Sequence, residues 1–403
     1  MKRILLSAAL VLGTLFTQAQ TQEQVIPEYQ NIADKLLTSS TKLTIGGYGE
    51  VHYHQPFNKD TRQNGELDVH RMVMLFGYQF SDRTQFITEI EFEHVSEVYV
   101  EQAFLQHRIS KAIKFRAGLL LIPMGIVNEY HEPTTFNGVD RPLIDNKISP
   151  TTWREVGFGL SGTIQPASLK YQAYVVNGFN GYDTSAKFNG KNGLRSGRQK
   201  GASSYISSPN FTAKVEYYGI RGLNVGVSGY YGDTQSKLYN GIAKDDQVAL
   251  AKADSSVVGI SMLGLDARYS IKGLQLRGQL YRVGLSNTDQ YNRFTRTTTT
   301  GKLNDLGSVM TGYYVEAGYN VFRPFESLKT ELVPFVRLEA FDTHAEVENN
   351  IAKVESYKSS VITTGLTLKL AQGAVLKADL QFVKPEGASS YSKVFSAGLG
   401  VMF

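Results

Sequence analysis

The chain has 403 residues, of which 20% are charged and 42% apolar, and its formal net charge is +5 at pH 7. This composition excludes a disordered protein, and so small a charge does not indicate a nucleic-acid partner. Cysteine is absent, which excludes disulfides, thiolate metal sites, a cysteine nucleophile and a lipid-anchored amino-terminal cysteine. Glycine (38), tyrosine (23) and phenylalanine (21) are abundant, and this balance favours strands and turns over helices.

Residues 1–19 have the features of a secretory signal peptide. Lys2 and Arg3 give a positive start, residues 4–16 form an apolar run, and Ala19 is the expected cleavage point. The run is shorter than the roughly 18–20 apolar residues that a membrane-spanning helix needs. Removing the segment takes two positive charges from the formal +5 and leaves about +3. We therefore expect an exported protein.

Residues 20–41 are a polar lead-in that we expect to lie in the periplasm. Ile32, Leu36 and Leu37 have helical spacing and predict one short helix there. The lead-in is too short for the plug domain of larger barrel transporters. No later apolar run could span a membrane as a helix, so a membrane location would require a closed barrel, which satisfies every backbone group in lipid. Residues 42–403 are expected to form it.

From residue 43 onward the dominant sequence period is two. At the end of the chain, Phe395, Leu399 and Phe403 point one way while small residues point the other, as lipid-facing and lumen-facing positions alternate in a barrel strand. Residues 69–75 alternate poorly, which a bulge or a contact other than lipid would explain, and the faces of 98–108 stay open. The alternation recurs in residues 86–93, 113–119, 155–164, 211–217, 223–231, 263–269, 313–320, 332–340, 362–369 and 376–382.

These segments predict an all-β fold, a transmembrane antiparallel β-barrel of about 16 strands. Short connections, expected at the periplasmic side, alternate with long ones, expected outside the cell, and an even strand number returns both ends to the periplasm. Roughly 16–18 strands enclose an aqueous channel, whereas about eight are filled by side chains. The long connections lie near 123–152, 178–208, 233–256, 286–308 and 343–357.

The predicted inner face carries charges of both signs, which are costly in a dry core but not in a wet lumen. Glu89, Glu91 and Glu93 form one row, with Lys114 and Arg116 on a nearby strand, and opposed charges of this kind would sort ions. The alternative is that these charged residues are ordinary solvated residues of the barrel wall with no role in ion selection. The pattern indicates a water-filled channel for passive diffusion of ions and small hydrophilic solutes. The other predicted pore-lining residues are Arg268, Arg277, Arg337 and Lys377.

The connection 123–152 is the long connection with the most varied chemistry. A loop of about 30 residues without its own period is usually functional or disordered. We predict that it folds into the pore and narrows it, and an ordinary outer loop is the alternative. Its candidate constriction residues are His131, Glu132, Asp140, Arg141 and Asp145.

Several segments, in this order, resemble the superfamily of outer-membrane porins that includes the phosphate-selective porins O and P, in particular members from Bacteroidota. The resemblance implies a 16-stranded porin of a Gram-negative outer membrane, often a homotrimer. The terminal Phe403 is similar to the signal that barrel-assembly machinery reads. The resemblance does not imply selectivity for phosphate, because the predicted inner face of this chain carries positive and negative charges in similar numbers. The segments are Gln102–Gln106, Ile113–Gly118, Pro123–Gly125, Gly312–Glu316, Val333–Glu339 and Val375–Phe382.

Two further patterns resemble binding motifs but predict no site. His52 and His54 share a strand face as two metal ligands would, but no third ligand is identifiable, so no metal site is predicted. Residues 157–162 match a dinucleotide fingerprint inside a strand with no helix after it, so no cofactor is predicted. An aromatic girdle at the membrane boundaries is the expected role of Tyr217, Tyr231, Tyr269 and Tyr319.

Three other classes stay open beside the channel. A binding or adhesion barrel would use its long loops. A barrel hydrolase would need a base and a nucleophile held together; His70, His94 and His107 are available, but no serine or aspartate is marked as their partner. A soluble secreted β-protein would have to bury every apolar face. We expect a non-enzymatic protein with no catalytic residues.

Overall fold

Sixteen antiparallel strands form a closed barrel in the computed structural model, which describes residues 31–38, 41–349 and 351–403. The predicted fold class is confirmed, whereas the expected signal peptide lies outside the described residues. The strands pair in chain order, and the first strand closes the barrel on the last. Barrel strands are β1 (Leu43–Phe57), β2 (Glu66–Ser81), β3 (Thr84–Glu93), β4 (Glu97–Arg108), β5 (Lys114–Leu121), β6 (Arg154–Ile164), β7 (Leu169–Val176), β9 (Asn210–Ile220), β10 (Leu223–Asp233), β12 (Gly259–Ile271), β13 (Leu274–Ser286), β14 (Val309–Tyr319), β15 (Glu331–Glu346), β16 (Lys358–Ala371), β17 (Ala374–Pro385) and β18 (Ser392–Met402).

The remaining elements are short. The strands β8 (Asn180–Tyr182) and β11 (Gln235–Ser236) pair with each other outside the barrel sheet. Among the described residues, no helix has the length and apolarity needed to cross a membrane. The α-helices are α1 (Ile32–Thr38), α2 (Ile144–Lys147), α3 (Gln247–Asp254) and α4 (Thr288–Phe294). The 3₁₀ turns are η1 (Gln165–Ala167), η2 (Arg195–Gly197), η3 (Lys237–Tyr239) and η4 (Glu355–Tyr357).

The two ends of the barrel differ in the length of their connections. At the end where Phe403 pairs with Gly47, strands are joined by turns as short as 82–83 and 372–373; we call it the turn end. At the opposite loop end, connections as long as 122–153 and 177–209 occur. Because bacterial barrels keep their short turns in the periplasm, the turn end corresponds to the periplasmic side.

The outer wall carries the apolar residues that period two predicts. Phe211, Leu263 and Val315 are 50%, 52% and 53% exposed, while the residues between them point inward and are largely buried. Such a belt is unfavourable in water and is the surface that lipid solvates. Tyr231 near the loop end and Tyr319 near the turn end are also exposed, as expected for the aromatic girdle.

A bulge explains the irregular run at 69–75. The pairing of β1 with β2 shifts between Glu50 and His52, which leaves Val69 and His70 opposite the single residue Val51. The extra residue changes which side chains face inward, as β-bulges do. The predicted irregularity is therefore present.

A second bulge lies in β4, where the sequence left the faces open. Glu89 pairs with Gln102 while Ile90 pairs with Val100, so Glu101 is the extra residue. Glu101 and Gln102 are consecutive, yet both are buried. Period two fails here because two neighbouring residues point into the barrel.

Candidate functional site

Residues 122–153, between β5 and β6, pass through the barrel interior and are called the inserted segment. The Val139 amide donates to Asp379 Oδ2 on β17 at 2.6 Å. At the start of α2, the Leu143 amide donates to Glu339 Oε2 on β15, also at 2.6 Å. Ile144 in α2 is fully buried. Because β15 and β17 are remote from β5 and β6 in strand order, the segment crosses the interior to the opposite wall.

Arg337 on β15 is the central anchor of this crossing. Its guanidinium lies 2.9 Å from Glu339 and 3.4 Å from Glu316. It also donates to the carbonyl oxygens of Asn137 and Asp140 in the inserted segment, at 3.5 and 3.2 Å. Arg337 is fully buried, and a buried charge is tolerated only when it is paired and hydrogen-bonded in this way. The wall therefore holds the segment by its backbone.

Two more predicted pore-lining cations contact the segment. Arg277 pairs with Glu316 at 3.2 Å and donates to the Thr135 carbonyl at 2.9 Å. The Lys377 ammonium lies 3.8 Å from the centre of the Phe136 ring, a cation–π contact. Both side chains thus face the segment from the far wall.

Arg268 belongs to a buried group of ion pairs around the start of the segment. Its guanidinium pairs with Glu216 at 3.0 Å and lies 4.1 Å from the centre of the Tyr130 ring. Beside it, Lys214 pairs with Glu129 at 2.9 Å. Lys214 and Glu216 are both 1% exposed, so this part of the inner wall is dry.

The first predicted glutamate, Glu89, meets the segment at His131. Glu89 accepts a hydrogen bond from Tyr48 at 2.8 Å and lies 3.8 Å from His131 Nε2. The same nitrogen lies 3.3 Å from the Glu101 carboxylate. His131 Nε2 is hydrogen-bonded to the Tyr48 hydroxyl at 2.9 Å. Burial alone would lower the pKa of His131, but the neighbouring carboxylates of Glu101 and Glu89 raise that pKa to about 9. The segment therefore places an imidazolium between two wall carboxylates.

The other two glutamates lie nearer the loop end. Glu91 is buried 3.8 Å from Arg71, and Glu93 is half-buried. Arg71 also pairs with Glu50 at 2.5 Å and donates to the His131 carbonyl at 2.6 Å. Glu91 is thus engaged with Arg71 and Glu89 with His131, whereas Glu93 lies beyond them toward the loop end.

The predicted partners of that row, Lys114 and Arg116, lie instead at the turn end beside α1. Arg116 is 3.7 Å from Asp34, and Lys170 is 3.2 Å from the same carboxylate. A pocket of about 20 Å³ beside Asp34 and Arg116 has room for about one water molecule. The lead-in helix therefore occupies the turn end of the barrel.

Glu132 and Asp145 fix the segment at two further points. Glu132 accepts a hydrogen bond from the Ile32 amide of α1 at 2.7 Å. Asp145 accepts from Gln279 at 2.6 Å and from Tyr281 at 3.0 Å. Burial raises the pKa of Asp145 to about 7, with those two hydrogen bonds opposing the rise.

The last two constriction residues lie near the loop end of β1. Arg141 is 4.0 Å from Glu50. The Asp140 carboxylate lies 3.9 Å from His52 Nδ1 and 3.7 Å from His54 Nδ1. The spacing of residues in the sequence did not predict that Asp140 lies beside these histidines. Their proximity depends on the course of the inserted segment through the barrel.

The described interior has a dry middle between two wetter ends. At mid-height, Glu101 and Arg337 have no exposed surface. At the loop end the Asp140 side chain is 43% exposed, and at the turn end the Lys170 side chain is 20% exposed. Water therefore reaches charged groups from both ends but does not reach the middle, which the inserted segment closes.

Comparisons with known proteins show which solved barrels this one is similar to. No family model matches the sequence. By structure, the chain is similar to an anion-selective porin from Comamonas acidovorans (TM-score 0.56, 13% identity, 90% of this chain and 99% of that one). It is also similar to the outer membrane channel DcaP of Acinetobacter baumannii (0.55, 11%, 90% and 97%). A third is the trimer form of OmpT, an outer membrane protein of Vibrio cholerae (0.53, 12%, 90% and 99%). At these identities the likeness concerns the fold.

A sequence relative gives the family. An uncharacterized protein of Aquifex aeolicus (strain VF5) is 31% identical over 357 residues, which cover 86% of this chain and 77% of the relative. The chain therefore belongs to the same family as the Aquifex aeolicus protein, and it has the 16-stranded barrel fold of outer-membrane porins.

Proposed function

We propose that the chain is a non-enzymatic outer-membrane channel for passive diffusion of ions and small hydrophilic solutes, closed at rest by the inserted segment. The observation that carries this proposal is the crossing of a 16-stranded barrel by a segment held to the far wall through Arg337, Glu339 and Asp379. Sixteen strands enclose more space than wall side chains fill. Conduction then requires the segment to move.

The polar contacts between the inserted segment and the barrel wall support such a movement of the segment. Each hydrogen bond between the segment and the wall can be exchanged for one with water at a net cost of only about 0.5–1.5 kcal/mol. A buried ion pair holds more strongly, but water entering the lumen hydrates its charges and offsets much of the loss. The segment is therefore a removable constriction, whereas the hydrogen-bonded barrel wall persists.

The outer surface supports the location. The apolar belt and the tyrosines fit a lipid bilayer with the turn end in the periplasm. A signal peptide at residues 1–19 would deliver the chain, and barrel-assembly machinery would insert it through the signal at Phe403. The trimer form of a similar barrel and the resemblance to porins O and P support a homotrimer.

Ion preference, in this proposal, follows from where the charges lie along the channel. Glu93 is near the loop end, whereas Lys114 and Arg116 are at the turn end. An ion entering from outside meets the glutamate row first. Replacing Glu89, Glu91 and Glu93 by glutamine should shift the reversal potential toward anions. An unchanged reversal potential would show that the row does not select ions.

Single-channel recording in a planar bilayer tests the function directly. The wild-type protein should show discrete conductance steps, and deletion of residues 130–148 should raise the conductance. The control is deletion of residues 243–245, an exposed stretch of a loop-end connection, which should leave conductance unchanged. Silence from both folded, inserted proteins would reject the channel, and equal conductance in wild type and the 130–148 deletion would reject the constriction.

A further inference from the structure

Four of the seven histidines of the chain cluster at the loop end of the barrel. His52 and His54 project from one face of β1, with ring centres 5.7 Å apart, and His52 stacks on His70 at 4.6 Å. His70 in turn contacts His94. We propose that His52, His54 and Asp140 form a binding site for a divalent transition-metal ion such as Zn²⁺.

The spacing of the three side chains suits an ion between them. The Asp140 oxygens lie 3.9 Å from His52 Nδ1 and 3.7 Å from His54 Nδ1, and one ligand atom from each residue falls within 4.8 Å of the others. These distances are too long for hydrogen bonds. A zinc ion with bonds of about 2.0–2.2 Å to nitrogen and oxygen would bridge them with small side-chain shifts.

The donor set indicates the class of metal. Two imidazoles and one carboxylate suit zinc, nickel, copper or cobalt, whereas calcium and magnesium prefer oxygen donors alone. Three protein ligands leave a fourth position for water. His54 and Asp140 are partly exposed at the loop end, so an ion can enter from that side.

Glu50 provides the orientation that metal-binding histidines require. His52 Nε2 lies 3.3 Å from Glu50 Oε2. When this nitrogen carries the proton and donates to Glu50, the lone pair of Nδ1 faces the Asp140 carboxylate. Two acceptors facing each other repel unless a cation lies between them. A carboxylate behind the ligating histidine is the usual second partner in metal sites.

The position of Asp140 is set by contacts that do not involve the metal. Its carbonyl accepts from Arg337 at 3.2 Å, and the preceding residue, Val139, donates to Asp379. The carboxylate is therefore presented to the histidines by buried anchors on both sides. Arg71 and Arg141 flank Glu50, and these positive charges should make the affinity lower than that of a structural zinc site.

A neighbouring cluster provides an internal comparison. Asp68 Oδ2 lies 2.7 Å from His94 Nδ1 and 3.3 Å from His70 Nδ1. These are hydrogen-bond distances, so that carboxylate is already satisfied by its own histidines. The Asp140 carboxylate lies too far from the His52 and His54 rings for such hydrogen bonds, and His54 Nδ1 instead lies 3.0 Å from Ser396 Oγ. A metal ion would replace that one hydrogen bond and satisfy the Asp140 carboxylate, which is why we assign the ion to this cluster.

Metal titration of the full protein, refolded in detergent, tests the site whether or not the barrel conducts. Zn²⁺ should bind in calorimetry, and Co²⁺ should develop a visible absorption band. Asp140→Asn and His54→Gln should each weaken binding by at least about tenfold, the scale on which even outer-shell changes act. The control is His107→Gln, an exposed histidine bonded to Thr84 near the turn end, which should bind as the wild type does.

Histidine footprinting of the wild-type protein makes the result independent of variant folding. Zn²⁺ should protect His54 from carbethoxylation and leave His107 reactive. Protection of His94 without His54 would overturn the assignment and move the ion to the Asp68 cluster. Absence of Zn²⁺ binding to the wild type, or unchanged affinity in Asp140→Asn, would also overturn it.

Discussion

In the proposed channel, raising the pH should favour the open form through His131. In the closed form this imidazolium lies between Glu89 and Glu101, and its pKa is raised to about 9. In the open form the withdrawn side chain would be hydrated, with a pKa near 6.5. A group whose pKa is raised in one form stabilises that form fully below the lower pKa, and the stabilisation disappears as the pH rises through the higher one. The closed form should therefore weaken between about pH 6.5 and 9.

The magnitude follows from the difference between the two pKa values. A difference of roughly 2.5 units is worth about 3 kcal/mol, and within the window each pH unit changes the equilibrium up to tenfold. His131 is only 3% exposed, so solvent screens its pairs weakly. Asp145, with a pKa raised to about 7, acts in the same direction at lower pH, because its effect falls between its ordinary pKa of about 4 and 7. Above pH 7 the slope therefore belongs to His131.

Open probability in single-channel recordings at pH 6.5, 7.5, 8.5 and 9.5 measures this effect. The wild type should open more often at each step, with the change levelling off above pH 9. His131→Gln should remove most of the slope, and His107→Gln should keep it. A flat wild-type profile, or equal slopes in wild type and His131→Gln, would refute the imidazolium as the link that holds the segment.

Three further predictions concern the segment, the lipid face and the metal. A Cβ added at Gly398 would lie 3.2 Å from Val139 Cγ1, close to the roughly 3 Å that separates a cysteine sulfur from the partner Cβ in a disulfide. The same Cβ would lie 2.9 Å from the Val51 carbonyl oxygen, so the strand must shift slightly to accept it. Val139→Cys with Gly398→Cys should abolish openings when oxidised and recover them with reductant, and undiminished oxidised openings would show that the segment need not move. Val315→Lys on the lipid face should lower the free energy of unfolding by about 2–4 kcal/mol, whereas Val248→Lys, at an 82% exposed position, should cost little; equal costs in urea titrations would contradict the lipid assignment. Zn²⁺ should reduce open probability in the wild type and not in Asp140→Asn, because an ion between β1 and the segment holds the segment in place.

The barrel was predictable because its wall repeats one pattern. Phe211, Leu263 and Val315 alternate with polar neighbours, and lipid on one side with a charged interior on the other leaves only one register for such strands. The pattern failed at Glu101 and Gln102, where a bulge turns two consecutive residues inward. A bulge depends on the partner strand, so a single strand read alone does not contain it.

The interior was predictable in composition but not in its contacts. The alternation of period two predicted which charged residues face inward, including Arg337 and Glu89. It did not predict their partners, because Asn137 and His131 belong to a segment that has no sequence period. The expectation of a wet lumen did not anticipate the dry middle, since burial there depends on where the inserted segment runs.

The partners of the inserted segment have a consequence for how the protein is made. The segment follows β5, yet Asp145, Leu143 and Val139 bind to β13, β15 and β17, which are encoded much later in the chain. Until those strands join the sheet, its buried polar groups have only water as partner, and contacts this distant in sequence form late. A barrel in which β13, β15 and β17 have not yet joined the sheet would carry the segment unanchored and open to proteases, so the seated segment marks a barrel that has closed.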